Sequence, residues 1–130
     1  MVNSHGNHVS IQHLNVWYGE RHTLKDISFS IPRHRITAIL GPSGCGKSTF
    51  LRTLNRLHET TRNARVEGTV LLDDRSIFDM DVTVLRRNVG MVFQKSNPFP
   101  KSIFDNVAFG LRVNGLARRG ALHDAVERSL

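Results

Sequence analysis

The sequence predicts an α/β fold, and three observations carry that expectation. Short apolar runs with strand character, residues 10–16, 27–31, 35–40 and 67–72, alternate with segments whose apolar residues recur at helical spacing. One helical segment, with Phe50, Leu51, Leu54 and Leu57, follows the run 35–40 almost directly. Between the two stand Gly41, Pro42, Ser43, Gly44, Cys45, Gly46, Lys47, Ser48 and Thr49, which fit G-x-x-x-x-G-K-[ST]. Strand, glycine-rich loop and helix is the context in which that pattern makes a phosphate-binding loop.

Each residue type in the loop has a physical task. Glycine lets the backbone turn back on itself and approach an anion closely. Successive amides then point inward as a nest for phosphate oxygens. The loop opens a helix whose first amides have no intrahelical partner and whose dipole end is positive. Lys47 is the residue that reaches the β- and γ-phosphates, and the Ser48 hydroxyl is the Mg²⁺ ligand. Cys45 lies inside the loop, so thiol reagents are expected to block nucleotide binding and MgATP to protect.

Composition narrows the class. The 130 residues, 39% hydrophobic, suit one domain of ordinary size. No apolar run approaches the ~18 residues of a membrane span, and residues 1–10 carry no signal-peptide core. The chain is therefore expected in the cytosol, or at a membrane only through a partner. A single cysteine excludes an internal disulfide. The net charge of +7 is scattered, with doublets only at Arg86-Arg87 and Arg118-Arg119, and lacks aromatic interleaving; a solvated basic surface is expected, without nucleic-acid binding.

The elements follow in order. Residues 1–9, including His5 and His8, read as a disordered tail in preference to a metal site. The strand 10–16, with Ile11, Leu14 and Val16, leads into a turn at Trp17, Tyr18 and Gly19. An aromatic before a phosphate loop can stack on adenine, and it can equally pack on the core; the residues leave both readings open. Ile27, Phe29 and Ile31 alternate as a half-buried strand that Pro32 ends. The first helix is expected over 47–57, a strand over 67–72, a short helix over 82–87 and a buried strand over 89–93. Asp73, Asp74, Asp79 and Asp81 fit solvated turns better than a metal cluster. Ser102, with Asp105 three residues on, forms a cap box opening a helix to Phe109, and a last helical pattern occupies 121–130.

Taken together, these residues resemble a family. An aromatic–glycine turn, G-P-S-G-C-G-K-S-T and V-G-M-V-F-Q look like the ATP-binding subunit of ABC transporters. The stretch 92–107, V-F-Q-K-S-N-P-F-P-K-S-I-F-D-N-V, is similar to the phosphate-importing branch of that family. The resemblance implies a P-loop NTPase with an ABC-type ATP-binding domain. The chain would correspond to its N-terminal portion: antiparallel strands, the Walker A strand–loop–helix and the start of the helical subdomain. Residues 10–130 would be an incomplete ATP-binding domain.

The resemblance further makes Tyr18 the adenine-stacking aromatic and residues 41–49 the phosphate cradle. Gln94 becomes the residue that senses Mg²⁺ and the attacking water, and Lys47 and Gln94 the catalytic pair. The segment after Gln94 becomes the surface that meets a membrane permease, so changing Phe99 and Pro100 is expected to uncouple ATPase from transport. ATP and Mg²⁺ are the implied ligands. A second ATP-binding subunit, two permease subunits and, indirectly, a phosphate-binding protein are the implied partners, at the cytoplasmic side of the inner membrane. The family's L-S-G-G-Q signature, Walker B aspartate with its glutamate, and switch histidine are not found in these 130 residues, so the chain alone is expected to be inactive and to fold poorly. Alternatives are an ABC ATPase for phosphonate or a polar amino acid, an ABC-type DNA-repair ATPase, or a module that binds nucleotide without hydrolysing it.

Overall fold

The computed structural model describes residues 7–115 and 119–130. His5 and Arg118 lie outside the described residues. The chain divides into two compact units, Met1–Met91 and Val92–Leu130.

The first unit is built on a four-stranded antiparallel sheet in the order β2-β1-β3-β4. Strand β1 spans Asn7–Tyr18, β2 Arg21–Pro32, β3 Ala64–Leu72 and β4 Arg75–Ser76. β1 begins three residues before the expected start, so Asn7, His8 and Val9 are strand and not tail. The physical reason is pairing. Val9 sits opposite Ile31 on one side and Leu72 on the other, and His8 Nδ1 lies 2.8 Å from the Asp73 carboxylate, which also receives Arg33.

A bulge in β1 sets which side chains face the core. Val9 and Ile11 point inward, and so do Leu14 and Val16, a change of phase from odd to even positions. The extra residue is His13, at φ 52°, and the pairing shifts there against both neighbours. β2 answers with its own irregularity at Asp26, φ 50°. On β3 the bulge demands glycine: Gly68 has φ 102°, and a Cβ there would lie 2.3 Å from the His13 carbonyl oxygen. Leu14, Val16, Leu24, Val70, Leu72, Ile77, Phe50 and Leu85 then form one buried cluster.

Helix α1 spans Lys47–Leu54 and buries Phe50 and Thr53. It stops short of Leu57 because Arg56 takes a left-handed conformation, φ 57°, before a 3₁₀ turn at Leu57–Thr60. Tertiary bonds hold this end. The Arg86 guanidinium donates to the carbonyls of Asn55 and Arg56, and Arg56 Nη1 donates to the carbonyls of Ile77 and Met80. Arg86 belongs to α2, Val82–Asn88, whose N-cap Asp81 accepts from the amides of Val84 and Thr83. Those two amides hold the Asp81 carboxyl below the usual carboxylate range.

Two expected strands are corrected. Residues 35–40 and 89–93 have no strand pairing, and Ile36, Leu40, Val92 and Phe93 are exposed. A ladder needs a neighbour for its N–H and C=O groups, and among the described residues none runs beside either segment. Ile39 and Val89 alone lean on the core.

The second unit holds α3, Ile103–Val113, and α4, Arg119–Glu127. The cap box forms: Ser102 Oγ accepts from the Asp105 amide at 3.0 Å and donates to the Asp105 carboxylate at 2.7 Å. The Ser102 hydroxyl first, and then Arg112, hold the Asp105 carboxyl below its usual range. Ala108 and Val126 are buried, and the Phe104 ring lies against His123 with centroids 5.6 Å apart.

Candidate functional site

The loop between residue 40 and α1 turns on two left-handed glycines. Gly44 has φ 81°, and Gly46, the N-cap of α1, has φ 105°. Gly46 is constrained twice, because a Cβ there would stand 2.6 Å from Leu24 Cδ2 of β2. The loop is thereby seated against the sheet, and α1 starts at a fixed place beside Leu24. At Gly41 a Cβ would stand 2.8 Å from Cys45 Sγ. The Cys45 amide bonds back to the Pro42 carbonyl, and the Phe50 amide to the Gly46 carbonyl, the first turn of α1.

Lys47 folds back over this loop. Its ammonium donates to the carbonyls of Gly41 and Pro42, each at 2.7 Å, and lies 3.7 Å from Cys45 Sγ. A mobile point charge is therefore held across the loop by two neutral acceptors. Phosphate oxygens are stronger acceptors for an ammonium than amide carbonyls. Ser48 is exposed in the first turn and Thr49 is half-buried. Two glycines in a conformation that admits inward amides, a helix N-terminus and a cation over the loop fit a polyphosphate. A cleft of about 480 Å³ adjoins the loop; Leu24, Phe29, Ile39, Leu40 and Phe50 share its lining with Cys45, Gly46 and Lys47. Its walls are mostly hydrocarbon, which suits an anion poorly.

The paired aromatics separate onto the two faces of the sheet. Tyr18 is half-buried at the end of β1 and packs against the core cluster on the side of Val16. Trp17 faces the other way, stacked on His22 with ring centroids 4.3 Å apart and with the Arg65 guanidinium 4.1 Å from its ring centre. The Gly19 amide then bonds to the Asn63 carbonyl and fixes the turn. Among the described residues no cluster of three or more metal-ligating side chains forms, and Asp73 and Asp81 serve an ion pair and a helix cap.

Gln94 belongs to the second unit, exposed in a bend. That unit's run N-P-F-P is shaped by a residue that sequence reasoning quoted without a task. Asn106 Oδ1 accepts from the Phe99 amide at 2.8 Å, while its Nδ2 donates to the carbonyls of Phe99, Lys101 and Ser102. The Phe99 ring is half-exposed and packs on Phe109, centroids 4.5 Å apart. The spacing Phe99 to Asn106, a loop followed by one helical turn, was the available signal.

The fold and the loop define a nucleotide-binding protein of the P-loop type. A family model described as "ABC transporter" matches residues 24–130, and the chain belongs to that family. It is 52% identical over 124 residues to the phosphate import ATP-binding protein PstB 1 of Yersinia pestis bv. Antiqua (strain Antiqua). The same figures hold for the protein of that name from Yersinia pseudotuberculosis serotype I (strain IP32953). The match covers 94% of this chain and 46% of either relative, so the chain spans about half the length of the curated proteins it matches. Among solved structures, a bacterial Atm1-family ABC exporter with ATP bound superposes with a TM-score of 0.71 at 34% identity. That match covers 85% of this chain and 18% of the exporter.

Proposed function

We propose that the protein carrying this chain binds and hydrolyses ATP, and that hydrolysis drives import of inorganic phosphate through a membrane permease. The observation that carries this reading is the loop running into α1 with Lys47 across it, in a chain half identical to proteins named for phosphate import. On binding, Lys47 exchanges the Gly41 and Pro42 carbonyls for β- and γ-phosphate oxygens, and the loop amides take the rest of the anion. The half-buried Tyr18 stacks on the base. Ser48 is the residue of this loop that would hold Mg²⁺, which supplies charge neutralisation. Gln94 orients the attacking water. The phosphoryl group passes to water, so these residues contribute positioning and charge stabilisation. The transported phosphate is a different anion from the nucleotide's, and the loop binds only the latter.

The same reading proposes a second ATP-binding subunit, two permease subunits, an indirectly coupled phosphate-binding protein and a peripheral, cytoplasmic-side location. No helix among the described residues is long and apolar enough to cross a membrane. Lys47→Ala is the direct test. Loss of a charge-assisted contact worth about 1.5–3 kcal/mol should weaken ATP roughly ten- to a hundredfold and abolish turnover in a phosphate-release assay. Near-normal turnover would remove the loop from catalysis. Cargo is tested by uptake of labelled phosphate, phosphonate and a polar amino acid by the assembled transporter, with phosphate alone expected to accumulate.

A further inference from the structure

We propose that Trp17 is a positioning residue. Gripped between His22 and Arg65, it fixes the end of β1 so that Tyr18, next in sequence and on the opposite face, meets the nucleotide base. The inference rests on the base-stacking reading of Tyr18 and names what holds that residue in place.

The geometry comes from the order of the strands. β1 lies between β2 and β3, and Trp17 pairs with His22 on one side and Arg65 on the other. The three side chains form one row across three strands, imidazole against indole and indole against guanidinium. Both flanks of the indole are thus covered, and a base has no free face on which to stack. Its outer partners are themselves held. His22 Nε2 donates at 2.9 Å to Asn15 Oδ1, which also accepts from the Asp26 amide, while Asn15 Nδ2 donates to the His13 carbonyl. Arg65 stands 3.8 Å from Glu67. The row lies where the β1–β2 register shifts, between Val16 and Trp17, and two residues before the turn at Gly19. A strand end next to a turn frays unless side chains tie it across the sheet. The row ties this end, and strand alternation then places the Tyr18 ring on the core side.

Four variants in the protein that carries this chain test the idea, by titration with ATP and with inorganic triphosphate. Tyr18→Ala should weaken ATP and leave triphosphate unchanged. Trp17→Ala should show the same selectivity with a smaller loss, roughly fivefold, since stacking is impaired but not deleted. Arg65 is mostly exposed, so Arg65→Ala should leave the fold intact and still weaken ATP alone, by about twofold. His22→Phe keeps a ring against the indole but loses the bond to Asn15, and should weaken ATP alone, by less than Trp17→Ala. Trp17 is the only tryptophan of these 130 residues; with any tryptophan outside them replaced by phenylalanine it reports directly, and saturating ATP should leave its emission unquenched. Parental ATP affinity in Trp17→Ala and Arg65→Ala, beside a loss in Tyr18→Ala, would overturn the positioning role and leave base stacking standing. No effect in Tyr18→Ala would remove base stacking and the inference with it. Equal loss of both ligands in Trp17→Ala and Arg65→Ala would make the row a structural support only. Strong quenching by ATP would make Trp17 the base platform itself.

Discussion

Residues 11–16 and 36–40 of the first unit are both short and both carry large aliphatic side chains, yet those side chains end in opposite environments. Leu14 and Val16 are 0% exposed, whereas Ile36 and Leu40 are 101% and 90% exposed. Hydrophobicity does not separate them, since burying any of these side chains is worth about 1.5–3 kcal/mol. Partners do. β1 has β2 on one side and β3 on the other, and every inward residue sits over a closed ladder. Residues 35–40 have no ladder among the described residues, and sinking their free N–H and C=O groups into a core would cost more than the side chains return. An apolar run therefore specifies a wish for burial, and a neighbouring strand is what grants it.

The largest expected effect breaks this comparison directly. Leu14→Ala should destabilise the first unit by about 2–5 kcal/mol in urea unfolding of the protein that carries this chain, whereas Ile36→Ala should stay within about 0.5 kcal/mol. Comparable losses would mean that 36–40 is buried in solution. A smaller effect sharpens the contrast through glycine. Gly68→Ala meets the His13 carbonyl and an unfavourable φ and should cost about 1–3 kcal/mol, while Gly90→Ala, with nothing within 4 Å of its Cβ, should cost nothing or stabilise slightly. An indifferent Gly68→Ala would show that the bulge is not held in solution.

The smallest effect concerns pH. His58, 5% exposed on the 3₁₀ turn, packs edge-on to Phe78 and leaves its Nδ1 without a partner. Burial, with help from the Arg56 and Arg86 cations, lowers its pKa below the ordinary 6.5, against the pull of Glu59 and the Arg52 carbonyl. The folded state thus binds this proton less well than the unfolded chain. Stability is full above about pH 6.5 and declines as pH falls from there toward the lower folded value. His58→Phe should flatten that decline in unfolding curves taken between pH 7 and pH 5. An unchanged slope would assign the acid sensitivity to other groups.

Much of the local structure was legible. The loop motif, the cap at Ser102 with Asp105 and the short helix after Asp81 each rest on residues within a few positions of one another, and all three formed. The end of α1 was not legible: helical spacing runs on to Leu57, but Arg86, thirty residues away, caps the helix at Asn55 and Arg56. Nor was the bulge, because Ile11, Leu14 and Val16 fit no single strand period until His13 is recognised as the extra residue. From composition alone the adjacent Trp17 and Tyr18 had no separate tasks; the family resemblance set Tyr18 apart, and only the sheet shows the two on opposite faces.

By itself the sequence determined the loop on which the proposed anion chemistry rests. Residues 41–49 carry their own backbone freedom, helix N-terminus and lysine, and these act over a few ångströms of contiguous chain. Only the tertiary structure decided that Gly46 must clear Leu24, that Lys47 rests on two loop carbonyls, and that Trp17 is clamped while Tyr18 leans on the core. It also decided which apolar runs become strands. The reason is the same in each case: these outcomes depend on what residues distant in sequence bring to the other side of a contact, and no local propensity encodes that.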